Sequence, residues 1–189
     1  VTELVLENGR CVGVATEHGD RFYAKQAVVS TIHIKHLVEM APAEAWGEDF
    51  VQGVATWQPG FTLFAAHYAL KEAPRYPRDG SEPIPAVAAG LAGSSDNLLS
   101  LMSDLRRGRI HQDPPVLLVV CSSVVDPSRA PSGKHTLKVL SFFPYELSEG
   151  GPQRWDEVKD QVARTNLDYL RRFALNLDET TILGSHVES

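Results

Sequence analysis

Apolar and polar positions alternate with a period of two over the first thirty residues. Leu4 and Leu6 stand among Glu3, Val5 and Glu7, and Asn8-Gly9 supplies the left-handed pair that a tight hairpin needs. Val12 and Val14 begin the return strand, a second turn falls at His18-Gly19-Asp20, Arg21 to Ala24 make a short strand, and the apolar run Gln26 to Thr31 (QAVVST) reads as one more. Residues 3–30 are therefore predicted to form a β-meander with Glu3, Glu7, Arg10 and Glu17 on its solvated face.

Residues 33–54 change to a helical pattern. Leu37, Val38, Met40 and Ala41 make a stripe that Pro42 stops, and a short helix over 42–50 places Trp46 and Phe50 four apart on one face. Pro59-Gly60 breaks the chain. Residues 60–73 then read as a long strand with Phe61, Leu63, Ala65 and His67 on one side and Phe64, Ala66, Tyr68 and Leu70 on the other. Both sides are mostly apolar, so each is expected to be covered or to line an apolar cavity.

Pro74 to Pro85 carries four prolines and reads as a loop, and AVAAGLAG as a strand. A helix capped by Ser94 or Ser95 follows, with Leu98, Leu101, Met102 and Leu105 as its apolar positions and Arg106-Arg107-Gly108 as its end. VLLVVCSSVV is a buried strand, DPSRAPSG a turn-rich connector and KHTLKVLSFFPY a strand. The longest helix is predicted from Pro152 to Leu175 with Trp155, Val158, Val162, Leu167, Leu170 and Phe173 buried; a last strand covers Ile182 to Val187. Meander, long strands and separate helices together predict an α+β fold: an antiparallel or mixed sheet with helices packed on it, plus the N-terminal β-meander.

Composition narrows the function. The 189 residues are enough for one domain or one and a fraction, and 43% apolar with 22% charged is ordinary for a water-exposed core-forming chain. No apolar run reaches the ~18 residues of a membrane span. The net charge of −6 argues against a general nucleic-acid binder. Cys11 and Cys121 lie far apart without a CxxC, which fits two buried thiols in a reducing compartment and a cytoplasmic location. The first and last residues both read as strand, so the chain is expected to be a piece of a longer protein.

The chemistry-bearing motifs are few. No two glycines form GxG, and GxxxxGK, GxSxG and HExxH are all lacking. His33 and His36 share a helical face but have no third ligand nearby, so no metal site is expected. His67 is either a hydrogen-bonded core histidine or a polar point on a substrate pocket. Asp126, Arg129, Lys134 and His135 could hold an anion but read first as a stiff turn in which Asp126 caps its own backbone. Arg106, Arg107 and Arg109 read as a solvated helix end. No nucleophile, base and orienting group come together, and no catalytic residue is assigned.

Three segments resemble a known family. VLENGRCVGVATEHGDRFYAKQAVVSTIHIKHLVEM is similar to the strand block of large FAD-dependent oxidoreductases, with its Gly-Arg turn, its GV pair and its A..VV run before a short helix. SSVVDPSRAPSGKHTLKVLSFFPYEL resembles the segment of phytoene-desaturase-like proteins in which DPS.AP.GKH links two substrate-domain strands and PY ends the second. RWDEVKDQVARTNLDYLRRFALNLDETTI is similar to the helix that follows there. The branch it resembles most is the phytoene-dehydrogenase-related group of pyridine nucleotide-disulfide oxidoreductase-domain proteins.

The resemblance implies that residues 1–31 are the tail of an FAD-domain β-meander and residues 32–189 an incomplete substrate-binding domain. The GxGxxG unit and the glycine-rich C-terminal flavin segment of the family are missing, so FAD is expected in a full-length parent and not in this chain alone. Ser30 and Thr31 are the implied cofactor contacts. Phe61, Leu63, Phe64, His67, Tyr68, Phe142 and Phe143 are the implied lining for an apolar small-molecule substrate. Peripheral membrane contact and self-association through bare apolar surface are further expectations. The alternative class is a stand-alone apolar-ligand-binding or protein-interaction module without redox activity.

Overall fold

The chain has an α+β fold whose strand pairs are all antiparallel among the residues described, 1–58 and 60–188 of a computed structural model. Compactness divides it into two units, Val1–Pro59 and Gly60–Ser189, whereas the family resemblance drew its boundary after residue 31.

The first unit opens with the expected meander: β1 (Glu3–Glu7), β2 (Arg10–Ala15) and β3 (Arg21–Tyr23), in the order β1-β2-β3. Asn8 and Gly9 turn β1 into β2 with φ of 50° and 74°, the left-handed pair their chemistry favours. Gly13 on β2 is crossed so closely by the Phe22 carbonyl that a Cβ there would collide with it. Of the two thiols expected to be buried, Cys121 is buried but Cys11 is exposed on β2. The strand predicted over residues 26–31 does not form. This stretch finds no ladder partner, and without one β-propensity alone does not make a strand.

Beyond it come α1 (Ile34–Leu37), a 3₁₀ turn over Val38–Met40, α2 (Ala43–Trp46) and α3 (Glu48–Thr56). Trp46 and Phe50 do stack, with ring centroids 5.5 Å apart. The single helix expected over 42–50 is broken, however, by Gly47 at φ 85°, and its second half runs on to Thr56.

The second unit is built on a five-stranded sheet in the order β10-β4-β9-β8-β7: β4 (Thr62–Leu70), β7 (Ala88–Leu91), β8 (Leu117–Val120), β9 (His135–Phe143) and β10 (Ile182–Glu188). β4 and β9 pair along their whole length, from Thr62 opposite Phe143 to Leu70 opposite His135. The long helix α5 (Arg154–Arg171) packs on one face of this sheet. Trp155, Val162, Ala163, Leu167 and Leu170 meet Phe64, Ala66, Tyr68, Leu117, Val119, Leu137 and Val139 in one core. Trp155 fixes the start of α5 by donating its indole N–H to the carbonyls of Pro144 and Tyr145 at 3.3 and 3.2 Å.

Four expectations are corrected in this unit. The proline-rich stretch forms a hairpin, β5 (Arg75–Arg78) and β6 (Ser81–Pro85), around Asp79-Gly80. A two-stranded ribbon is all edge, so its prolines can leave the missing N–H turned away from the ladder. The helix α4 (Ser95–Arg106) is capped by the Ser94 hydroxyl, which accepts the Asn97 N–H, but Leu98 and Met102 are exposed and only Leu101 and Asn97 are buried. The strand expected over 116–125 stops at Val120, where the chain turns into 3₁₀ geometry at Ser122–Val124. Finally, α5 ends at Arg171 rather than Leu175, and Phe173 lies half-buried beyond it.

Candidate functional site

Alternation along β4 and β9 decides which side chains α5 covers. Phe64, Ala66, Tyr68 and Leu70 on β4 and Leu137, Val139, Ser141 and Phe143 on β9 lie beneath the helix and are buried. Their neighbours in sequence point to the opposite face. Directly opposed residues of an antiparallel pair share a face, so the ladder registers arrange the second face in rows across the sheet. Leu63 stands opposite Phe142. Ala65 stands between Glu188 and Leu140, with Leu118 next in line. His67 stands between His186 and Lys138, with Val120 beyond, and Ala69 stands between Gly184 and Thr136.

This face carries large exposed apolar groups. Phe61 is 51% and Leu63 53% exposed, Leu118 is exposed, and the Phe61 ring meets the Phe142 ring edge-on at 5.1 Å. At the other end, the small residues Gly184 and Ala69 let the surface fall into a recess of about 710 Å³. His67, His186 and Lys138 form one wall of it, and Arg129 reaches in from the loop that joins β8 to β9.

His67 is held against the edge strand. Its Nε2 lies 3.4 Å from a Glu188 carboxylate oxygen, is shielded from solvent, and is not aligned with any partner for a hydrogen bond. Arg129 is ion-paired to Asp126 at 3.0 Å. Lys138 has no carboxylate within ion-pair distance among the described residues, so it is the formal cation of the recess left without a counter-charge.

The loop bearing Arg129 is stiffened from within. Asp126 accepts the Ser128 N–H at 3.2 Å, the Ser128 hydroxyl at 2.6 Å and the Arg129 Nε–H at 3.0 Å. The Ser128 hydroxyl bond chiefly, with the Ser128 amide and the Arg129 guanidinium, holds the Asp126 carboxyl below its ordinary pKa. At the loop's base the buried Ser123 hydroxyl accepts the Thr136 N–H at 3.1 Å and sits 3.0 Å from His135 Nδ1. The DPSRAPSGKH stretch is thus a self-capped connector in which Asp126 and His135 serve structure.

The nine residues expected at a site do not converge on one surface. Phe61, Leu63, His67 and Phe142 share the open face. Phe64 and Phe143, each 1% exposed, form an aromatic core with Trp155 at centroid distances of 5.3–5.8 Å. Tyr68 is buried beneath α5; it borders both the recess beside His67 and a second one with Arg171 and Asp168. Burial pushes its phenol up to about 12, with Arg171 opposing and Asp168 adding to the rise. Lys138 and His186 were missed because only the register of β4 with its two neighbours brings them beside His67. The alternation in KHTLKVL puts Lys138 on the polar side of its strand, but no local signal says what it faces.

Ser30 and Thr31 are exposed in the first unit, beside a mostly apolar recess of about 440 Å³ bordered by Phe22, Tyr23 and Val29. These residues do not make a pyrophosphate site. The Ser30 hydroxyl already accepts the Ile32 N–H at 3.2 Å, and the four-residue helix that follows is capped by His33, whose Nδ1 accepts the Lys35 N–H at 3.3 Å. A dinucleotide needs free amides at a helix start and glycines that let it approach. No cluster of three or more metal-ligating side chains occurs among the described residues, and no helix there is long and apolar enough to cross a membrane.

An α+β architecture with an open, partly basic sheet face is therefore what the geometry defines. No family model and no curated protein matches the chain. Among solved structures it is similar to an oxidoreductase from Methanosarcina mazei, at 14% identity and a TM-score of 0.48, with 98% of this chain and 36% of that one covered. It is also similar to a protein from Pyrococcus furiosus, at 13% identity and a TM-score of 0.44, with 94% of this chain and 34% of that one covered. The chain spans about a third of the length of these solved structures.

Proposed function

We propose that this chain is the substrate-side part of an FAD-dependent oxidoreductase related to phytoene dehydrogenase, in which the whole enzyme moves hydride from an apolar substrate to flavin. The observation that carries this reading is the asymmetry of the second unit's sheet. One face is sealed by α5, and the other presents an apolar wall in which Phe61, Leu63 and Leu118 are exposed and Leu140 and Phe142 half-buried. A wall of that kind excludes water from a greasy substrate once a second body closes over it.

The resembling segments, in their order along the chain, support this reading. DPSRAPSGKH joins the paired strands β8 and β9, Pro144-Tyr145 follows β9 directly, and the matching helix is α5. On this reading the flavin is held by the rest of the parent, so no chemical step is assigned to the residues of this chain, and the chain by itself would be inactive in redox turnover. The open face equally serves the second reading, an apolar-ligand or protein-interaction module, because it belongs to the second unit alone.

Two preparations separate these readings. The parent reading frame, expressed whole, would contain a GxGxxG unit upstream and purify with stoichiometric flavin. The present chain would purify without flavin absorbance. A parent lacking the dinucleotide motif and flavin would exclude the oxidoreductase reading and leave the module.

A further inference from the structure

We infer that the open sheet face of the second unit binds a long-chain fatty-acid anion, its carboxylate at the His67–Lys138–His186 row and its hydrocarbon tail along the apolar rows toward Phe61 and Phe142. The inference deepens the proposed function by giving the apolar substrate a charged end, and it rests on that reading only for its place in a reaction. The binding itself needs no flavin.

Three features fix the head. His186, His67 and Lys138 sit side by side on three adjacent strands, in one row across the sheet. They border the recess whose floor is kept low by Gly184 and Ala69. The charge count among the described residues points to the ligand's charge. Arg129 is matched by Asp126 and His67 leans on Glu188, which leaves Lys138 as the formal cation lining the recess that pairs with no carboxylate among the described residues. One unmatched ammonium suits a monoanion. A phosphomonoester head near neutral pH would bring more negative charge than one ammonium offsets, and Glu188 would repel the excess.

The tail's path follows from the pleat. Each step of two residues along β4 advances about 7 Å, so the path from Ala69 to Leu63 is about 20 Å long. It runs past Ala65, Leu140 and Leu118 to the Phe61–Phe142 pair. A second copy of this chain is the rival occupant, since bare apolar faces also pair with each other.

The test titrates the 189-residue chain with palmitate and with methyl palmitate, both below the concentration at which they self-assemble, and reads binding by calorimetry. Sedimentation follows the oligomeric state. Palmitate is expected to bind about tenfold more tightly than its ester, because the ester keeps the tail and loses the charge-assisted contact. Lys138→Gln, an exposed substitution, should abolish that preference and leave ester binding unchanged. Leu63→Ser, also exposed, should weaken both ligands alike. Equal affinity for acid and ester, an unaltered preference in Lys138→Gln, no binding of either, or a dimer that palmitate does not dissociate would each overturn the inference. Failure of the parent to hold flavin would sink the oxidoreductase reading and leave this result standing.

Discussion

Ser123 and His135 are locked together at the root of the β8–β9 connector: the Ser123 hydroxyl takes the Thr136 amide at 3.1 Å and lies 3.0 Å from His135 Nδ1. A serine beside a histidine invites a catalytic reading. Ser123 is 2% exposed, however, and its oxygen is already occupied by a backbone donor, so it is a structural clasp. Ser123→Ala strands a backbone N–H and a ring nitrogen. It should lower stability by about 1–3 kcal/mol, the cost of leaving buried polar groups without partners. Urea unfolding followed by circular dichroism measures this, and a change under a few tenths of a kcal/mol would show that water substitutes for the hydroxyl.

The two Asx-type turns give the protein an acid sensitivity with a defined sign. Asp126 is held below its ordinary value of 3.8 by the Ser128 hydroxyl first and then by the Ser128 amide and Arg129. Asp178 is held below the same value by the Thr180 hydroxyl and by the Thr180 and Thr181 amides. A carboxyl depressed in the folded state contributes stability that is full above its unfolded pKa and is lost as pH falls through its folded pKa. Both turns should therefore loosen only below about pH 3.8. Side-chain carboxyl shifts followed by NMR against pH should show these two aspartates titrating last. Midpoints at the ordinary value would mean that the turns are open in solution.

At the basic end the sign reverses. Burial pushes Tyr68 up to about 12, and burial together with the nearby Cys121 does the same for Tyr76. An acid that holds its proton more tightly when folded contributes nothing extra below its unfolded pKa of 10 and favours unfolding as that pKa is passed. Ultraviolet titration of phenolate absorbance should show two tyrosines lagging, with midpoints near 12 that collapse toward 10 when the chain is unfolded in urea. Tyr68→Phe should remove one lagging phenol and leave the other.

Much of this architecture is written in local chemistry. Asn8-Gly9 dictates the first hairpin, Ser94 caps α4, and the alternation along β4 sorts Phe64 and Tyr68 from Leu63 and His67 before any coordinate is known. The face that α5 takes could not be read in the same way, because both sides of β4 are about equally apolar. That choice depends on which residues of β9 and β10 stand opposite, and register is a property of pairs of strands distant in sequence. The same limit hid the basic row, whose members are separated by 71 and 48 residues along the chain, from His67 to Lys138 and from Lys138 to His186. The missed hairpin at Asp79-Gly80 was legible, since its Asp-Gly pair is a strong turn signal that the surrounding prolines masked.

Asn166 and Ser141 test whether the core tolerates a polar contact between helix and sheet. Asn166 is fully buried on α5 and donates from Nδ2 to the Ser141 hydroxyl on β9 at 2.9 Å, while its Oδ1 has no partner. The pair thus keeps an unsatisfied acceptor in the core. Ser141→Ala alone strands the amide's donor as well and should cost about 1–3 kcal/mol. Adding Asn166→Leu removes both unsatisfied groups and keeps the branched shape of the side chain, while the loss of the Ser141 hydroxyl frees some of the extra volume the leucine needs. The double variant should recover the loss and reach or exceed the parent's stability, which is the asymmetry expected when a strained polar contact is replaced whole. A thermal-unfolding cycle over the four combinations reads the coupling directly. If the two losses simply add, the amide and the hydroxyl act independently, and the contact has no part in setting how α5 seats on the sheet.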